Sequence, residues 1–198
     1  MISHHPNHYS RSLARAGCLG LWASLAFGGG APTQSSSFVL ARGRAGTLEI
    51  GMPIDTVRRV FGQDRVRRVE RQLEGQLEPA IEIRLADSDS APAFVARIGQ
   101  SPCSNRADGA PVVAVWGIEV YDPRFRTREG IGVGSTIGKL RRVYSVRFNR
   151  EEGHSVIVPS LMMTFGINGT SFADSVRVTS VWLWFHPDSV RQHRCPNQ

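Results

Sequence analysis

The chain has 198 residues, 41% of them hydrophobic and 21% charged, proportions that fit a folded globular protein and exclude a disordered one. No apolar run reaches the roughly 20 residues that a membrane-spanning helix needs, which excludes an ordinary helical membrane protein. The formal net charge of +7 is carried almost wholly by arginine, Lys139 being the sole lysine.

In chain order, the first pattern is basic, then apolar, then small. Arg11 and Arg15 precede the apolar stretch Ala16–Phe27, and Gly28-Gly29-Gly30-Ala31 follows it. That order reads as a secretory signal peptide cleaved between Gly28 and Gln34, with Ser35-Ser36-Ser37 as a solvated leader. Cys18 stands at the start of the apolar stretch rather than after it, so a lipid-anchor reading fits poorly. Without the first 34 residues the chain keeps 22 basic and 17 acidic side chains. Arginine favours bidentate contacts with carboxylates and phosphates, so an acidic partner surface is one reading of this composition. Plain surface solvation by a GC-rich gene is the other. The arginines are scattered, which with export argues against nucleic acid as a partner.

The next signal is an internal self-similarity. Leu48–Phe61 opens with Gly51-Met52-Pro53 and runs into Ile54, Val57, Val60 and Phe61 at helical spacing, stopped by Gly62. Ile81–Leu85 and Phe94–Ile98 alternate around a polar turn, Asp87–Pro92, and read as a hairpin. Gln100–Pro111 follows, polar and Gly/Pro-containing, and then Val112–Ile118 with Trp116. The second segment repeats the order. Gly132-Val133-Gly134 leads into Ile137, Leu140, Val143 and Tyr144, with Ser135 or Thr136 as N-cap, and Val178–Trp184 closes it with Trp182. Between them, Val156–Phe165 and Val176–Phe185 flank Asn168-Gly169, a hairpin turn signal. Aligning Gly51 with Gly132 and Trp116 with Trp182 leaves the first copy longer, and Gln100–Pro111 is the natural place for the surplus.

The expected fold is therefore α+β, with two tandem repeats, each a short helix on an antiparallel sheet of three or four strands. The expected organisation is a leader at 1–34, one repeat at 38–123, a second at 124–190 and a tail at 191–198. With the signal removed, Cys103 and Cys195 form an even pair in an oxidising compartment, the expectation for one disulfide between the first repeat and the tail.

A glycine followed by Met or Val, a short helix ending in Phe-Gly or Tyr, and a closing Val-Trp strand together resemble the β-lactamase-inhibitor-protein-like superfamily, which includes outer-membrane assembly lipoproteins of the SmpA/OmlA type. The resemblance implies helices packed on one face of an antiparallel sheet, and tandem members that set two sheets side by side to form a binding surface. It also implies a binding or envelope role for an exported protein.

No catalytic constellation emerges. Gly130–Thr136 invites a phosphate-loop reading, but Gly134 stands where a Walker loop needs Lys, so a turn before a helix explains it better. His154, His186 and His193 lack metal-ligand spacing, and Asp87 and Asp89 are not followed by a calcium loop. His154 and Ser155 are neighbours along a strand and so face opposite ways. No enzyme activity, cofactor or metal is expected.

The last strand carries apolar side chains on both faces, with Trp182 and Trp184 on one and Val181, Leu183 and Phe185 on the other. Packing between the repeats is one account of the second face. A patch for another exported protein is the alternative, with Trp184, Phe185, Asp87 and Asp89 as candidate binding residues. The functional expectation is a non-catalytic protein-binding module, periplasmic or secreted, sharpest as an inhibitor of an extracytoplasmic hydrolase. The alternative is a structural envelope protein aiding outer-membrane or cell-wall organisation. No stable membrane insertion is expected once the signal is removed, and these patterns set no oligomeric state.

Overall fold

The computed structural model describes residues 38–73, 75–86, 90–105, 110–150 and 154–184, apart from the side chains of 102–105. Three two-residue strands, β1 (Leu40–Ala41), β2 (Arg44–Ala45) and β3 (Leu48–Glu49), form a small antiparallel sheet. Helix α1 (Ile54–Phe61) leads into β4 (Val66–Leu73), β5 (Gln76–Ile83), β6 (Phe94–Asn105) and β7 (Pro111–Val120). Helix α2 (Ile137–Val143) leads into β8 (Arg147–Asn149), β9 (Ser155–Val158), β10 (Met163–Ile167) and β11 (Val178–Trp184). These eight strands make one antiparallel sheet in the order β4-β5-β6-β7-β11-β10-β9-β8. Two four-strand meanders thus meet where β7 pairs with β11. No described helix is long and apolar enough to cross a membrane.

Both helices form where their periodicity places them, though Val60 and Val143 are left exposed. Val57 of α1 and Ile137 and Leu140 of α2 are buried, and Gly62, at φ +92°, turns the chain out of α1. Thr136 caps α2, its Oγ1 accepting the Lys139 N–H at 3.2 Å. The helices pack on one sheet face, here called the inner face. There Ile81, Ile83, Phe94, Ala96, Ile118, Val120, Val156, Val158, Phe165, Val181 and Leu183 join them in one core that spans both meanders.

Each helix is tied to the closing strand of its own meander in the same way. Gly51 N–H donates to Val115 O at 2.7 Å, and Val115 N–H returns to Met52 O at 3.0 Å. Gly134 N–H donates to Val178 O at 2.7 Å, and Val178 N–H returns to Ser135 O at 2.9 Å. Gly51 and Gly134 therefore hold equivalent places, both at positive φ. The sequence alignment through Gly132 is out by two residues.

The strand ends differ more. Arg97 pairs with Gly117 and Ile98 with Val115, so Trp116 is the extra residue of a β-bulge. Gly166 pairs with Ser180 and Ile167 with Val178, so Thr179 is the extra residue of a second bulge. A bulge shifts the alternation by one position. Trp116 therefore matches Thr179, and Trp182 matches Glu119, its direct partner across β7–β11. The expected match of Trp116 with Trp182, made on their shared Val-Trp, does not hold in this register.

The longer first half is also built differently from expectation. β4, β5 and β6 have 8, 8 and 12 residues where β8, β9 and β10 have 3, 4 and 5. The surplus is spread over longer hairpins, and Gln100–Asn105 lies inside β6 rather than in a loop. Val156–Phe165 is two strands joined by a 3-10 turn at Pro159–Leu161, and β10 reaches β11 through residues 168–177, not through a two-residue Asn168-Gly169 turn.

Candidate functional site

The sheet face away from the helices carries the most unusual side chains. One register row crosses all eight strands: Arg67, Glu82, Val95, Glu119, Trp182, Thr164, Ile157 and Arg147. The adjacent row runs Val69, Ala80, Arg97, Gly117 and Trp184. Alternation sets this face. Because Val181 and Leu183 point to the core, Trp182 and Trp184 point outward.

Arg97 lies at the centre of this arrangement and is only 6% exposed. Its guanidinium stands over the Trp182 ring, 5.7 Å from the centroid, within cation–π range. Its Nη1 reaches past fully buried Ala80 to donate to Arg71 O at 3.1 Å. A small residue at 80 lets the long side chain lie flat on the sheet. Gly117 serves the same packing, since a Cβ there would sit 3.4 Å from Trp182 Nε1 and 3.7 Å from Arg97 Cγ.

Around this centre, Trp184 Nε1 donates to Thr164 Oγ1 at 2.9 Å. Arg71 Nη2 pairs with Glu82 Oε1 at 2.5 Å, and Arg67 lies 3.5 Å from the same carboxylate. Burial pushes the Tyr121 hydroxyl far above its usual range, reinforced by the charge and hydrogen bond of Glu119. Trp116 is 39% exposed, with Gly99 leaving room for its ring. Two buried polar atoms on this face, Trp182 Nε1 and Glu78 Oε2, have no hydrogen-bond partner.

Of the residues singled out from sequence, Trp184 belongs to this face. Phe185, Asp87, Asp89 and Cys195 lie outside the described residues, as does the Cys103 side chain, so the Cys103–Cys195 pair does too. Arg97, Glu119, Tyr121 and Gly117 were not singled out. The alternation of Phe94–Ile98 did place Arg97 opposite the core, but nothing local signals that a charged side chain lies flat and covered.

The glycine run before α2 spends its amides internally. Gly130 N–H donates to Thr127 O at 2.8 Å, Ile131 N–H to Thr127 Oγ1 at 3.2 Å, and Gly132 N–H to Ser135 Oγ at 3.1 Å. Tyr144 clamps the loop, its hydroxyl donating to Glu129 and accepting from the Thr127 hydroxyl at 2.8 Å, while Lys139 Nζ donates to Gly130 O at 3.1 Å. This is a built turn whose three glycine amides are all taken up within the fold, Gly134 N–H going to Val178 O. Among the described residues no three His, Cys, Asp or Glu side chains converge as metal ligands would.

An eight-stranded antiparallel sheet with both helices on one face, made of two edge-joined meanders, is a specific enough shape to compare. The fold is similar to that of the uncharacterized protein YfeY from Escherichia coli. The two superpose with a TM-score of 0.51 at 13% sequence identity, over 75% of this chain and 99% of that one. At that identity the likeness concerns the fold alone. No protein-family model matches the chain, and no curated protein matches it.

Proposed function

We propose that this chain is a non-catalytic protein-binding module, exported to the periplasm or beyond, that engages another exported protein with the helix-free face of its sheet. The observation that carries this reading is the cluster of Trp116, Trp182, Trp184 and Arg97 on that face. Tryptophan, tyrosine and arginine are the residues that most often anchor protein interfaces, the aromatics by burying large areas at low entropic cost and arginine by its planar fork of donors.

We further infer that the two helix-plus-meander halves are copies of one repeat. The reading rests on matching helix ties at Gly51 and Gly134 and on matching bulges at Trp116 and Thr179. Duplication across the β7–β11 junction doubles the width of a sheet face that one copy alone would offer. Inhibition of an extracytoplasmic hydrolase is the sharpest form of the binding role and rests on the superfamily resemblance.

The test is crosslinking in intact cells followed by purification through a C-terminal tag. One dominant exported protein, recovered with the parent chain and lost with Trp184→Ala or Trp116→Ala, is the expected result. Recovery of scattered envelope proteins indifferent to both substitutions, with an envelope permeability defect on deletion, would replace the binding module with the structural envelope role.

A further inference from the structure

The eight-stranded sheet ends in two unequal edges. β8 offers three residues, whereas β4 offers eight, paired with β5 from Val66↔Ile83 to Leu73↔Gln76 without a register break. Among the described residues no strand pairs with the other side of β4. The strand is open to solvent, with Arg67 72% and Arg71 43% exposed along their side chains. Long open edges are usually blunted by shortness, proline or a bulge. β4 has none of these, and its guard is charge alone, in the sequence Val66-Arg67-Arg68-Val69-Glu70-Arg71-Gln72-Leu73.

That charge pattern selects what can pair. Two copies of β4 joined antiparallel, helices on the same side, must pair residues of the same face. Centred on Val69, the register sets Arg67 against Arg71 twice and Arg68 against Glu70 twice, so repulsion and attraction offset. Centred on Arg68 it sets Arg68 against itself, and centred on Glu70 it sets Glu70 against itself. Like charges directly opposed destabilise a strand pair. A segment carrying acids opposite Arg67, Arg68 and Arg71 meets the opposite situation. Arg68 has no carboxylate partner among the described residues, and neither do the nearby Arg58, Arg59 and Arg84.

We propose that β4 is a strand-addition site for an extended acidic segment of another protein. Main-chain hydrogen bonds along Val66–Leu73 supply the pairing, as in other strand-addition complexes, and the arginines on its two faces select acidic side chains. The site shares Arg67 and Arg71 with the sheet face that carries the tryptophans, but it pairs along the edge backbone and does not rest on the binding role proposed for that face.

The probe is an eight-residue Glu-rich peptide that carries Glu on both of its strand faces, blocked at both ends, with a Lys-for-Glu peptide as its control. Hydrogen exchange of the β4 amides reads pairing, and fluorescence polarisation of the labelled peptide reads affinity. The Glu peptide should slow exchange across Val66–Leu73, the Lys peptide should not, and Arg68→Glu should weaken binding about tenfold as one attraction becomes a repulsion. Arg68→Gln, which keeps an exposed polar side chain there, should weaken it less, and an unchanged thermal melt shows that neither variant acts through unfolding. Equal binding of both peptides, or binding of the Glu peptide or of anionic lipid vesicles without β4 protection, would overturn strand addition and leave only diffuse charge attraction. Retention of the Trp184-dependent partner in Arg68→Glu would show that the tryptophan face works independently.

Discussion

Gly138 sits in the first turn of α2, where replacement by alanine ordinarily stabilises a helix by about 1 kcal/mol. The structure reverses the sign. A Cβ at 138 would lie 2.9 Å from Asp174 Cβ, 3.0 Å from Asp174 Cγ and 3.2 Å from the Asp174 carbonyl oxygen. Those atoms belong to, or sit next to, a backbone segment tied to the helix by Gly138 N–H to Asp174 O at 3.0 Å and Ile137 N–H to Val176 O at 2.9 Å. A rotamer change cannot clear the contact, so the segment must shift. Overpacking of this kind costs about 1–3 kcal/mol, and each stretched hydrogen bond adds up to about 1 kcal/mol. Gly138→Ala should therefore destabilise by about 1–2 kcal/mol net and lower Tm by roughly 2–8 °C. The assay is urea unfolding with the slope held constant, so that the change is one of stability and not of the unfolded state. Asp174→Gly removes the two nearest atoms and also an exposed ion pair with Arg141, 2.9 Å long. The double variant should recover at least about 1 kcal/mol relative to additivity, as neighbours sharing one contact do. A higher midpoint for Gly138→Ala alone, or strict additivity with Asp174→Gly, would refute the close-approach account.

Two further outcomes follow from the same loop. Gly132→Ala would drive a Cβ into the Phe125 carbonyl oxygen and should cost about 3 kcal/mol or more, whereas Gly134→Ala meets open space and should cost only the strain of its positive φ, about 1–2 kcal/mol; denaturation midpoints give the ranking. The Tyr144 hydroxyl is raised from 10.0 to about 12, by burial first and then by donation to the Glu129 carboxylate. A raised folded value means the stabilisation is full below pH 10 and is lost as pH climbs toward 12, so phenolate absorbance should show a late step that Tyr144→Phe removes, together with part of the alkaline loss of stability.

Much of the local structure was legible in the residues. The helical spacing of Ile54, Val57, Val60 and Phe61 and of Ile137, Leu140, Val143 and Tyr144 gave both helices, and the structure chose Thr136 over Ser135 as the cap of the second. The alternation of Ile81–Leu85 and Phe94–Ile98 gave the β5–β6 hairpin, and that of Val181–Trp184 gave the outward tryptophans. The three short strands before α1 were not legible, because two-residue ladders leave no periodicity. β4 was hidden for a different reason: as an edge strand it buries little, so its Arg-rich sequence carries no apolar alternation.

By itself the sequence determined the small set of local choices: where the chain turns, where it coils, which side chains avoid water. Periodicity, caps and turn residues act over a few positions and are written in residue types. Only the tertiary structure decided that β7 and β11 join two meanders into one sheet, that bulges at Trp116 and Thr179 reset the faces, and that Arg97 lies covered against Trp182. Strand order and register are set by packing between segments far apart in the chain, and a bulge is a backbone event that many residue types tolerate. The candidate surface is made of those long-range choices, which is why its central arginine came into view only when the strands were assembled.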